Sequence, residues 1–212
     1  VHRVHGGAVA NQTFQTTEYS VDARLRSASG AKSSIAHAAL QFLPEAPGGG
    51  IFLDAGTTTA AFAELITMQP AAKQWSIVTN SLSIALTLAN SGLDEIQLLG
   101  GSVRGITQAV VGNAALRTLA LMCAEVAFIG TNALTVDHGL STADSQEAAI
   151  KSAMITNARK VVVLCDSTKM GTDYLVSFGS VDDIDVIITD ANAPESFVKA
   201  LRDRNVEVII AS

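Results

Sequence analysis

Five short polar clusters hold most of the residues in this chain that are able to do chemistry: Asp54-Ala55-Gly56-Thr57-Thr58-Thr59, Thr79-Asn80-Ser81, Gly100-Gly101-Ser102-Val103-Arg104, Gly130-Thr131-Asn132 and Asp166-Ser167-Thr168-Lys169. The first suits a phosphate. Gly56 lets the backbone approach an anion, and the threonines add hydroxyls beside the free N–H groups of a helix start. The same residues also fit an ordinary threonine N-cap after a tight turn. A helix dipole contributes only about 0.3–1 kcal/mol per exposed charge, whereas micromolar affinity needs about 8 kcal/mol, so fixed cations must help. Arg104, Lys151 and Lys169 are the candidates. Asp144-Ser145-Gln146-Glu147 followed by Lys151 has two readings that can both hold. One is a capping box with a Glu147–Lys151 pair worth a few tenths of a kcal/mol; the other is an acceptor for sugar hydroxyls and a cation for phosphate. Asn80 fits a left-handed turn before a Ser81 cap or a ligand contact, and Lys169 fits a solvated loop lysine or a phosphate contact. The four histidines, His2, His5, His37 and His138, form no ligand cluster, so neither a metal site nor a cofactor is expected.

These clusters need elements to position them. Short β-branched runs cover Ile51 to Asp54, Ser76 to Thr79, Ile96 to Leu99, Val126 to Ile129, Val161 to Cys165, Val186 to Thr189 and Val206 to Ile210. Between them, Thr59 to Thr67, Ser81 to Asn90, Asn113 to Met122, Ser145 to Asn157 and Pro194 to Arg204 have helical apolar spacing. Val21 to Leu43 is mostly helical, with Leu25, Ile35, Ala36, Ala39, Leu40 and Leu43 on its apolar face and a break expected at Gly30; Pro44 to Gly50 ends it. The alternation predicts repeated βαβ units: an α/β fold with an open, mostly parallel sheet and helices on both faces. Thr168 to Asp183 fits no such unit and is expected to form an excursion with a short strand near Leu175 to Phe178. If the strands are parallel, all five clusters lie along the carboxyl edge of the sheet, where ligands of open α/β folds bind.

Composition narrows the function classes. A formal charge of -6 opposes binding to a nucleic-acid backbone, which needs clustered Lys and Arg. Cys123 and Cys165 lie in or beside apolar runs with no metal-type spacing and are expected as buried free thiols. No apolar stretch reaches the roughly 18 residues of a membrane span, and a cytoplasmic protein without membrane contact is expected. No GxGxxG follows any strand, which disfavours a dinucleotide site.

In their order and spacing the motifs resemble the effector-binding region of the DeoR family of transcription regulators along essentially the whole chain. The stretches are Arg3-Val4-His5-Gly6-Gly7-Ala8, Leu53 to Thr59, Val78-Thr79-Asn80-Ser81, Leu99-Gly100-Gly101, Val111-Gly112, Ala127 to Asn132, His138-Gly139-Leu140-Ser141-Thr142, Glu147-Ala148-Ala149-Ile150-Lys151, Asp166 to Lys169 and Ile187 to Asp190. Two departures are the long Pro44 to Gly50 loop and Glu125-Val126, where members often have an acidic residue followed by Lys. The resemblance implies a ribose-5-phosphate isomerase / CoA-transferase-like fold, a phosphorylated sugar or related metabolite as effector, homo-oligomers, and contact with DNA only through an N-terminal winged helix-turn-helix. On that pattern residues 1–20 are a linker from such a module, absent from this chain, and 21–212 form the sensor domain. Carried over by motif, the pocket comprises Asp54, Gly56, Thr57, Thr58, Thr59, Asn80, Ser81, Gly101, Arg104, Asp144, Glu147, Lys151 and Lys169. The implied role is that of a repressor of carbohydrate genes with no catalytic residue. The rival is a sugar-phosphate isomerase, for which Glu147 and Asp166 supply carboxylates; against it, the strand end that resembles the isomerase's acid-rich catalytic loop reads Gly130-Thr131-Asn132-Ala133. A pure assembly module is a further alternative.

Overall fold

The computed structural model describes the backbone of His2–Val4, Gly7–Val9, residues 14–15 and residues 17–212, with side chains from 14 onward except at 16, 22, 25 and 26. Much of the expected linker, including the Arg-Val-His-Gly-Gly-Ala side chains, and the side chain of Leu25 therefore lie outside the described residues. His2–Val4 and Gly7–Val9 pair antiparallel.

Seven strands form one parallel sheet: β1 (Gly50–Leu53), β2 (Ser76–Thr79), β3 (Ile96–Leu98), β4 (Val126–Gly130), β5 (Val161–Leu164), β6 (Val186–Asp190) and β7 (Glu207–Ala211). Their spatial order is β7-β6-β5-β4-β1-β2-β3. The chain runs outward from β1 to β3, crosses back to lay β4 beside β1, and then runs outward the other way. Strand order thus reverses between β1 and β4, where Leu53 sits opposite Phe128. Such a reversal opens a crevice, because the loops after the two strands leave in opposite directions.

Alternation along the strands feeds two cores. Ile51, Leu53, Val126, Phe128, Val162 and Leu164 face α2 (Ser29–Ala39), α3 (Thr57–Ile66) and α4 (Leu82–Asn90), whose Ile35, Phe62, Ile66, Ile84 and Leu88 are buried against them. Phe52, Ala127, Ile129, Val163 and Ile187 face the other way, toward α5 (Asn113–Leu119), α6 (Ser145–Thr156) and α7 (Glu195–Arg202). Helices on both faces of a parallel sheet are what the sequence pattern requires, and strand bounds agree to within a residue or so.

The differences are local. The break before α2 falls not at Gly30 but at Ala28, which adopts a left-handed backbone (φ 50) and separates α2 from α1 (Val21–Arg26). The cause is Lys32: its buried ammonium donates to the carbonyls of Arg24 and Ser27, satisfying the end of α1. Two antiparallel additions lie outside the βαβ pattern, since their strands are joined by short turns without an intervening helix or lie in the excursion. One is the hairpin of Ser102–Arg104 with Ala109–Val111. The other is a three-stranded sheet of Ala133–Thr135, Gly139–Thr142 and Val176–Gly179, the last being the strand expected in the excursion. Cys165 is buried as expected, but Cys123 is exposed, because the turn after α5 carries it outward. Among the described residues no helix is long and apolar enough to cross a membrane.

Candidate functional site

The reversal between β1 and β4 is stitched by a buried carboxylate. Asp54, fully buried, follows β1; its Oδ1 accepts from the Gly56 amide (2.9 Å) and the Thr59 hydroxyl (2.6 Å), and its Oδ2 from the Gly130 amide at the end of β4 (2.9 Å). Lys151, on α6, adds an ion pair to Oδ2 and donates to the Gly130 carbonyl at 2.8 Å. A buried charge is tolerated only when paired and hydrogen-bonded, and these four donors meet that condition. Lys151 therefore pairs with Asp54, not with Glu147 as its i to i+4 spacing predicts.

Above this floor is a cleft of about 410 Å³, in the range of small-molecule sites. Gly56, Thr57 and Thr58 line it, as do Thr131 and Asn132 after β4, Glu147 and Lys151 of α6, and Asp166, Thr168 and Lys169 after β5. Gly56 is the N-cap of α3 and offers no side-chain acceptor, so the first-turn amides of Thr57 and Thr58 lack a cap; the reading of a threonine as N-cap does not hold. Asp166 is turned back on its own loop, accepting from the Thr168 amide (3.2 Å) and hydroxyl.

The remaining wall was not anticipated. Tyr19, Ala23, Arg24, Ser27, Ala28 and Lys32 line the cleft from α1 and its flanks. One signal for Lys32 lay in the sequence: it shares the 3.6-residue stripe with Ile35, Ala36 and Ala39, all buried, and a lone cation on an apolar stripe marks an internal anion or carbonyl cage. Burial holds its ammonium below the ordinary 10.5; Asp166 opposes this and the charges of Lys169 and Arg24 add to it. The lining carries four cations, Arg24, Lys32, Lys151 and Lys169, against Glu147 and Asp166; with Lys151 neutralised by Asp54 just behind it, the balance is +1 in a chain of formal charge -6.

Seven of the expected pocket residues stand outside this lining. Asn80 donates to the Val110 carbonyl (3.1 Å), Ser81 caps α4, and Gly101 (φ 156) packs against Val111 where an added Cβ would overlap a carbonyl. Asp144 caps α6, accepting from the amides of Gln146 and Glu147. The Glu147 side chain does not close the expected capping box. It accepts from Arg104 (2.5 Å) and the Thr107 hydroxyl. Arg104 is engaged by three carboxylates: two bonds to Glu18 (2.8 and 2.9 Å), one to Glu147, and Asp144 at 3.4 Å. Its guanidinium is held charged, first by Glu18 and then, against burial, by Glu147. In return the Arg104 bond holds the Glu18 carboxyl below its ordinary value. Asp54 and Thr59 lie directly behind the lining as its scaffold.

Gln15, Thr17 and Glu18 are fastened across this side of the domain. Gln15 donates from its amide to Asp173, Tyr174 donates its hydroxyl to the Thr17 carbonyl (3.0 Å), and Glu18 takes Arg104. These residues therefore lead directly into α1 and the cleft wall.

Comparison with known proteins agrees with this layout. Residues 27–191 match the family described as DeoR C terminal sensor domain. The chain is 34% identical over 211 residues to the HTH-type transcriptional regulator GlpR of Haloferax volcanii, covering 99% of this chain and 79% of that protein. It is 29% identical over 206 residues to the glycerol-3-phosphate regulon repressor of Escherichia coli K12, covering 97% of this chain and 79% of that protein. A crystal structure of a probable sor operon regulator from Shigella flexneri has the same fold, with a TM-score of 0.52 at 13% identity over 92% of this chain and 88% of that one.

Proposed function

The chain belongs to the DeoR family of transcription regulators as its C-terminal sensor domain, and from that premise we propose that it binds a phosphorylated sugar or related metabolite in the cleft at the β1–β4 reversal. Occupancy shifts the arrangement of subunits in a homo-oligomer and so changes operator affinity, relieving repression of carbohydrate genes. The observation that carries this reading is that Arg24, Lys32 and Lys169 line the same cleft as the uncapped first turn of α3. An uncapped helix N-terminus and fixed cations together favour a phosphate. Asn132 and the second carboxylate oxygen of Glu147 offer donors and an acceptor for hydroxyl groups on the same cavity. A coupling of about 1–3 kcal/mol between ligand and subunit arrangement changes DNA affinity roughly 5- to 150-fold.

The isomerase alternative is weaker. The relatives are named as regulators and repressors, and the domain is not an enzyme. Glu147, the carboxylate placed to act as a base, already accepts from Arg104 and Thr107 through one of its oxygens, which is thereby tied down. The test is calorimetric titration of the chain with glycerol 3-phosphate and a panel of pentose and hexose phosphates. Saturable binding by at least one, weakened in Lys169→Ala, is expected; no binding by any member rejects the proposal.

A further inference from the structure

We infer that Arg24 is the residue that reads the charge on the ligand, gripping its phosphate from α1 in concert with Lys169 and the first turn of α3. This rests on the sugar-phosphate reading above and assigns within it a contact that the sequence motifs did not indicate.

The Nε and Nη2 groups of Arg24 are buried and have no hydrogen-bond partner among the described residues. A guanidinium does not shed its charge, and burying its N–H groups without an acceptor is costly. Nearby carboxylates do not relieve it. Glu18, close enough to feel the Arg24 charge, is taken by both terminal nitrogens of Arg104, and Asp166 accepts from its own turn. Instead Arg24 borders the same cavity as Lys32 and Lys169, so three cations share one cleft whose carboxylates, Glu147 and Asp166, are bonded elsewhere. The base of the side chain is fixed, because Lys32 holds the Arg24 carbonyl and Ser20 caps the start of α1. A planar fork held at its root, with two donors unspent, is preorganised for two oxygens of one tetrahedral group. Converging cations and helix amides favour the dianionic phosphate over a single carboxylate.

The experiment is calorimetry on the whole chain with three probes, inorganic phosphate, glycerol 3-phosphate and glycerate, for wild type, Arg24→Met, Arg24→Lys and Lys169→Ala. Arg24→Met is expected to weaken both phosphate probes by a common factor of roughly 10- to 150-fold, the loss of one charge-assisted pair, with Arg24→Lys recovering part of it. A common factor in a variant that melts with wild type marks contact with the phosphate itself, since a merely structural role would lower the melting temperature as well. If Arg24→Met binds both phosphates within about twofold of wild type while Lys169→Ala loses them, the assignment is wrong and the ligand reading survives. Glycerate binding more tightly than glycerol 3-phosphate overturns the choice of phosphate. A wild-type chain indifferent to every phosphate removes both the inference and its premise. Arg24→Lys, which keeps length and charge but not the fork, supplies the comparison if Arg24→Met does not fold.

Discussion

Replacing Asp54 by asparagine is the sharpest test of how the cleft floor is held. The carboxylate receives four donors: the amides of Gly56 and Gly130, the Thr59 hydroxyl and the Lys151 ammonium. Asparagine can keep an oxygen toward Gly56 and Thr59, but its NH2 then faces the Gly130 amide and the ammonium, donor against donor. Lys151, nearly buried, loses its counter-charge and keeps only the Gly130 carbonyl. Removing one partner of a buried pair costs about 3–5 kcal/mol. For a domain of this size each kcal/mol lowers Tm by about 2–4 °C, so Asp54→Asn should melt roughly 6–20 °C below wild type. Lys151→Met should cost less, because Asp54 retains three donors. In the double mutant no lone charge remains buried, so its loss should fall short of the sum of the single losses by about 1–3 kcal/mol. The assay is urea denaturation followed by circular dichroism, with thermal melts in parallel. Losses that simply add, or an Asp54→Asn protein melting within about 2 °C of wild type, would show that the stitch between β1 and β4 is not electrostatic.

Three further outcomes follow from the geometry. Arg104→Ala should cost about 1.5–3 kcal/mol at neutral pH and make the chain around Glu18 more sensitive to limited proteolysis, since three carboxylates lose their shared partner. Because the folded Glu18 carboxyl titrates below its ordinary 4.5, its contribution is complete above that pH and fades as pH falls through the lower folded value; denaturation between pH 7 and pH 3 should show this loss in wild type and not in Arg104→Ala. A thiol reagent should modify Cys123 in the folded protein but reach Cys165 only on unfolding, because burial raises the Cys165 thiol above its ordinary range; mass spectrometry counts the adducts. Gly139→Ala should destabilise by about 1–3 kcal/mol, since the position has φ 75 and an added Cβ would overlap the Gly179 carbonyl; a chemical denaturation midpoint equal to wild type contradicts this.

Much of the frame was legible because it depends on periodicity. Parallel strands buried on both faces write continuous apolar runs, and Ala-rich helices write a 3.6-residue stripe, so β1 to β7 and the helices between them could be placed from residue order alone. The carboxyl-edge rule then brought Thr57, Thr58 and Lys169 onto one cavity, although they are separated by more than a hundred residues. What periodicity does not carry is partner choice. Lys151 had a neighbour of opposite charge one turn away and bonds instead to Asp54, a long-range partner that no local spacing encodes. Arg104 had the charge for a ligand contact, but the hairpin that carries it lies outside the βαβ pattern, and the fold delivers it to Glu18, Asp144 and Glu147. Arg24 and Lys32 were hidden by lying ahead of β1, on helices that looked like simple packing elements.

The walls of the cleft run from Tyr19, Arg24 and Lys32 through the first turn of α3, the end of β4 and α6 to Lys169 and Tyr174, scattered through about three-quarters of the chain. A polypeptide emerging from the ribosome therefore cannot assemble the complete cleft until Lys169 and Tyr174 have cleared the exit tunnel. A product ending within α6 lacks Asp166, Lys169 and Tyr174 while still carrying every cleft residue that precedes them.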